Sequence, residues 1–109
     1  MSRAKGNLAE VKAVAYLQAR GFYIIEQNFY SRFGEIDIIA QKDGVLHFIE
    51  VKSAFNFEQA ISNITPKKLS RIIKTVYVYM KKTASNADYE IDAIIVTLTD
   101  IEHIENITL

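Results

Sequence analysis

Four charged residues flanking one tight turn set the chemistry available to this chain. Glu35 and Asp37 precede an Asp43-Gly44 pair, and Glu50 and Lys52 follow it. Asp-Gly between two apolar runs is a strong signal for a two-residue hairpin turn. With Asp43-Gly44 as that turn, Lys42 pairs with Val45, and the register carries outward to set Asp37 opposite Glu50 and Glu35 opposite Lys52. Side chains alternate along a strand, so all four share one face. Two carboxylates directly opposed, with Cβ atoms about 5 Å apart, repel each other. A hard divalent cation between them removes the repulsion, since Mg²⁺ takes carboxylate oxygens, waters and substrate phosphate. Lys52 then stands where an ammonium can orient a water or stabilise charge growing on a phosphoryl oxygen. The competing reading is a solvated charged face with a Glu35–Lys52 cross-strand ion pair.

The Glu-Val-Lys tripeptide alone carries little weight, because a second copy stands at Glu10-Val11-Lys12. That copy falls on a helical pattern, where positions i and i+2 point in different directions. The strand context and the acid across the turn distinguish Glu50-Val51-Lys52. Glu10 itself sits close to the apolar stripe of its helix, with Val14 at i+4 and Leu17 at i+7.

The elements that must hold these residues follow from hydrophobic periodicity. Leu8, Val11, Val14, Ala15 and Leu17 have helical spacing between about Lys5 and Arg20, and Gly21 suits the position just past the helix end. Strands are predicted over Phe22–Phe29, Gly34–Ala40 and Leu46–Val51. Thr65 as N-cap with Pro66 at N1 opens a helix to about Lys82, apolar at Leu69, Ile72, Ile73, Val76 and Met80. Tyr89–Leu98 and Ile101–Ile107 complete the pattern as strands. The order α-β-β-β-α-β-β predicts an α/β fold, a mixed central sheet flanked by helices, in one domain over residues 1–109.

Gly34-Glu35-Ile36-Asp37 followed by Phe48-Ile49-Glu50-Val51-Lys52 resembles the signature of the YraN-like uncharacterised protein family. The likeness extends to Gly6 and Glu10, the Gly21 break, Asn28 and Lys68. That family belongs to the restriction-endonuclease-like (PD-(D/E)xK) superfamily and is similar to archaeal Holliday-junction resolvases. The resemblance implies a nuclease in which Asp37, Glu50 and the Val51 carbonyl hold Mg²⁺, with Mn²⁺ as substitute. It makes Lys52 the catalytic lysine and Glu10 an additional acid reaching the metal. By the same analogy the substrate is DNA, branched or recombining, and the protein a homodimer. Two basic positions of the family pattern are replaced. Ser53-Ala54-Phe55 stands where an arginine often occurs, and Glu90-Ile91-Asp92 where the late strand opens Arg-Phe-Asp.

The 109 residues carry 13 basic and 13 acidic side chains, so the formal net charge is zero. A non-specific nucleic-acid binder is usually basic overall, which makes the placement of charge decisive. Lys67, Lys68, Arg71, Lys74 and Lys81 form one stripe on the second long helix, either a solvated face or a phosphate-contacting surface. Lys68, in the first turn, is the likeliest of them to touch substrate. Arg32 and Tyr30 enter the second strand, where they can meet a phosphate or a base. His47 falls on the face opposite Asp37 and His103 far off in the last strand. Neither has a partner at ligand spacing, so both are expected to be structural or solvated. Tyr77 and Tyr79 are expected to pack rather than to stack on bases.

Cysteine is absent, which removes disulfides and thiolate zinc sites. With no signal-peptide pattern and no apolar run near 18 residues, the expected location is the cytoplasm, with no membrane partner. No glycine-rich phosphate loop, Ser/His/Asp arrangement or cofactor fingerprint occurs. The expectation is a metal-dependent phosphodiester hydrolase acting on DNA, with a nucleic-acid-binding module of weak or no catalysis as the alternative.

Overall fold

A computed structural model describes residues 2–108, with side chains from Leu8 onward. The element order is α1 (Ser2–Ala19), β1 (Tyr23–Ser31), β2 (Gly34–Lys42), β3 (Val45–Ser53), α2 (Phe57–Ser62), α3 (Pro66–Lys82), β4 (Asp88–Val96) and β5 (Ile101–Ile104). The strands form one sheet in the order β1-β2-β3-β4-β5. Only β3 and β4 run parallel; the other neighbours are antiparallel. This is the mixed α/β architecture the sequence predicts, with the short α2 added between β3 and α3.

The turn chemistry explains the β2–β3 hairpin. Lys42 pairs with Val45, and Asp43 and Gly44 both take positive φ, 52° and 79°. Such a type I′ turn matches the right-handed twist of its strands. α3 begins as expected: the Thr65 side chain accepts from the Lys68 N–H, and Pro66 occupies N1. α1 ends in a Schellman motif. The Gly21 N–H donates to the Gln18 carbonyl and the Phe22 N–H to that of Leu17, with Gly21 at φ +87°. α2 is capped by the Asn56 side chain on the Gln59 N–H.

Two apolar layers cover the sheet. α1 packs through Ala9, Ala13 and Leu17 against Ile38, Ala40, Ile49 and Ile94. α3 packs through Ile72, Val76 and Tyr79 against Phe29, Ile39, Phe48 and Ile91. The face expected for α3 is correct, and Tyr79 is core while Tyr77 is 61% exposed. The face expected for α1 is correct only at Leu17, which is buried, and Val14, which packs against the core. Leu8 and Val11 are 58% and 64% exposed, and Ala15 is exposed as well. The buried row is Ala9-Ala13-Leu17, a pure i, i+4, i+8 series whose small first two members let the helix approach the sheet closely. Apolar residues run around much of α1, so periodicity alone does not select its face.

Among the described residues, no helix is long and apolar enough to cross a membrane.

Candidate metal centre and basic cleft

The β2–β3 ladder is paired from Lys42↔Val45 to Ile38↔Ile49. One step further, the same register sets Asp37 opposite Glu50, and there the bonding changes. The Val51 N–H donates to Asp37 Oδ2 at 2.7 Å. N–H and C=O of one strand residue point to the same side, so the Val51 carbonyl also faces this gap between β2 and β3. Glu50 acts on the Asp37 carboxyl at close range. Burial first, then Glu50, push the Asp37 carboxyl up to about 9, and the Glu10 charge adds to this against the opposing Val51 bond. Two acids so placed disfavour simultaneous ionisation, which a proton or a cation relieves.

Lys52 Nζ lies 3.5 Å from Glu50 Oε2, both side chains largely buried. Among the described residues the ion pair of Lys52 is this contact within one strand, not the Glu35–Lys52 pair of the competing reading. It sets the ammonium directly beside the paired carboxyls.

Glu10 reaches the same region from α1. Its Oε1 accepts from Asn28 Nδ2 at 2.9 Å. Asn28 lies across β1 from Asp37, between the pairs Gln27↔Ile38 and Phe29↔Ile36, and takes φ 54°. Burial, then the Glu35 and Glu50 charges, raise the Glu10 carboxyl above its ordinary range. Yet Glu10, Asp37 and Glu50 do not all come within 4.8 Å of one another; among the described residues only His47, Asp92 and His103 do so. Glu10 is held back on Asn28, outside the distance at which one ion reaches all three.

A cleft of about 220 Å³ beside the acids is lined by Gly34, Glu35, Glu50, Lys52, Lys68, Arg71 and Ile72. α3 passes directly over Gly34: a Cβ there would lie 3.6 Å from that of Arg71. The Ser31 hydroxyl bonds that of the buried Thr75 at 2.9 Å, which fixes this approach. So Lys68 and Arg71 reach the cleft, while Lys67, Lys74 and Lys81 are not among its lining residues. Arg32 lies over the Phe33 ring at 4.8 Å, with Lys74 on the same ring at 5.7 Å. The helix stripe thus splits: its first-turn Lys68 and Arg71 face the acids, and the remainder is exposed surface.

The donors gathered here are oxygens: the Asp37 and Glu50 carboxylates and the Val51 carbonyl. That set suits a hard cation such as Mg²⁺ or Mn²⁺.

His47 and His103 overturn the expectation that neither has a partner. The β3–β4 register Ile49↔Asp92 and the β4–β5 pair Ala93↔Ile104 bring both beside Asp92. His47 Nδ1 donates to Asp92 Oδ2 at 2.6 Å, and His103 Nε2 donates to the same oxygen at 2.7 Å. The Asn106 N–H supplies Oδ1 at 3.0 Å. Burial alone would raise the fully buried Asp92, but the bonds from His103 and His47 hold its carboxyl well below the usual range. The one signal in the sequence was Asp92 itself, an acid inside a strand of apolar residues, which needs a buried partner.

Fold and site together define a mixed α/β protein with a paired-acid, lysine-flanked cleft at one end of its central strands. The chain belongs to the uncharacterised protein family UPF0102, whose model matches residues 9–96. It is 61% identical over 109 residues to a UPF0102 protein of Sulfurimonas denitrificans, which covers the whole of both chains. It is 57% identical to one of Wolinella succinogenes, again over the full length of both. A UPF0102 protein of Helicobacter pylori is 54% identical over 106 residues, covering 97% of this chain and 92% of that one.

Proposed function

We propose that this protein is a metal-dependent phosphodiester hydrolase of the restriction-endonuclease-like type, acting on DNA and, by analogy with resolvases, on branched intermediates. The observation that carries the reading is the β2–β3 register that sets Asp37 opposite Glu50, with the Val51 N–H on Asp37 Oδ2 and the Lys52 ammonium 3.5 Å from Glu50. A fold gains nothing from two acids set opposite each other unless a cation or a proton joins them.

Asp37, Glu50 and the Val51 carbonyl would hold Mg²⁺ or Mn²⁺, with Glu10 assisting after release from Asn28. When bound, such an ion polarises a phosphoryl oxygen and lowers the pKa of a coordinated water. Lys52 orients the attacking water and meets charge on the phosphoryl oxygens. Lys68 and Arg71, with Lys67 and Arg32 outside the cleft, would contact the backbone phosphates on either side. A homodimer, which sets one cleft on each strand, belongs to the same proposal and is read by sedimentation.

The test is a cleavage panel of linear, flapped and four-way DNA with Mg²⁺ or Mn²⁺. Lys52→Ala should lower the rate at least ~100-fold with the fold intact. If the variant cuts as well as the parent, the active cleft lies elsewhere.

The restraint of Glu10 on Asn28 favours a second reading, a DNA-binding module without cleavage. Calorimetry separates the two: that module binds DNA equally with and without the divalent ion.

A further inference from the structure

A second group of ligand atoms stands apart from the cleft, nearer the Asp43-Gly44 turn and on the face of the sheet that α1 covers. His47 Nδ1, Asp92 Oδ2 and His103 Nε2 lie within 4.8 Å of one another, each on a different strand. Glu90 adds a second carboxylate beside them. Its buried Oε2 lies 3.6 Å from His47 Nδ1 and takes no hydrogen bond from a donor, and burial together with the neighbouring Asp92 pushes the Glu90 carboxyl up to about 7. Buried carboxylate oxygens are rarely left without one, so this atom calls for an explanation.

We propose that His47, Asp92 and His103 hold a structural Zn²⁺ ion that ties β3, β4 and β5 together, with the Glu90 carboxylate, now outside that group of three, turning in as the fourth ligand. Two imidazoles and two carboxylates are a donor set for zinc rather than magnesium, and four protein ligands make the closed tetrahedral centre of a structural site. Bonds of ~2.1 Å at tetrahedral angles put donor atoms roughly 3.4 Å apart. The His47–Glu90 separation of 3.6 Å is close to that value, and the histidine–Asp92 contacts of 2.6 and 2.7 Å must open by about 0.7–0.8 Å. Coordination uses the lone pairs of His47 Nδ1 and His103 Nε2, so each neutral ring then carries its proton on the other nitrogen.

The surroundings fit a cation. Phe22 closes one side of the cluster, its ring 5.0 Å from His47 and 5.6 Å from His103. A cavity of about 230 Å³, lined in part by the same Phe22, reaches His47 and Glu90 from the surface. Asp43 and Glu105 line its mouth against the single Lys42, so the entry is net acidic. The Asn106 N–H on Asp92 Oδ1 leaves Oδ2 as the coordinating oxygen and holds the segment after β5 to the centre.

The test is a Zn²⁺ titration of the full chain after chelator stripping, with Co²⁺ absorption as a second readout. One equivalent should bind with a dissociation constant below about 1 µM. Co²⁺ should give the intense visible bands of a tetrahedral site. Asp37→Asn should leave both unchanged, which separates this centre from the cleft. His103→Gln should weaken binding at least ~100-fold, and Glu90→Gln, which disturbs the fold least, should shift the Co²⁺ bands. Zn²⁺ binding weaker than about 100 µM in the parent, or Co²⁺ bands identical in parent and Glu90→Gln, overturns the proposal and leaves a hydrogen-bonded clasp without metal.

Discussion

With its carboxyl buried against Glu50, Asp37 titrates near 9 instead of its ordinary 3.8. A group whose folded pKa lies above its unfolded value supports the fold fully below the unfolded pKa, and that support fades as pH rises through the folded one. The groups facing Asp37 are Glu50 on β3, Glu10 on α1 and the Val51 N–H, with Lys52 beside Glu50. Thermal melts in chelator should therefore show falling stability from about pH 5 to about pH 9. Mg²⁺ should restore more at the alkaline end, since there it has no proton to displace. Asp37→Asn should flatten the slope and raise the ion-free melting temperature at high pH by a few degrees. A parent-like slope in that variant would show that other groups govern it. Function lost while stability is gained is the mark of a residue kept for chemistry rather than for folding.

At the scale of elements, local chemistry was legible and handedness of exposure was not. Thr65-Pro66 announced the start of α3, Asp43-Gly44 the hairpin and Gly21 the end of α1, because caps and turns are decided within a few residues. The register of that hairpin is local too, and so the Asp37–Glu50 opposition could be read from spacing. α1 differs, because its apolar residues surround it and tertiary packing chose Ala9-Ala13-Leu17. The His47–Asp92–His103 group was hidden for another reason. It depends on the parallel pairing of β3 with β4, whose register is set across a 34-residue connection (54 to 87) that no turn rule constrains. Urea unfolding tests the corrected face. Ala13→Leu, at a site with no exposure, should cost about 1–3 kcal/mol by overpacking. Leu8→Ser should change stability by less than about 0.5 kcal/mol. The reverse ranking would restore the face that periodicity suggested.

Over the whole molecule, a net charge of zero conceals an uneven placement. Lys52, Lys68 and Arg71 converge on one cleft with Glu35 and Glu50, while Lys67, Lys74 and Lys81 are exposed outside it. Bound divalent cation would offset the acids and leave the three basic groups to face phosphate. In DNA binding measured against salt with Mn²⁺ present, Lys68→Ala and Arg71→Ala should each reduce the log–log slope by about 1, and Lys81→Ala should leave it unchanged. Equal effects from all three would mean that the entire helix face, not the cleft, carries the contact.

The most direct test is calorimetric Mn²⁺ titration at neutral pH of the parent and of Asp37→Asn, both carrying His103→Gln so that the histidine cluster does not contribute. One saturable micromolar-to-millimolar site in the first that vanishes in the second is the expected result. Equal Mn²⁺ binding in the two proteins, or none in either, would contradict a cation bridging Asp37 and Glu50.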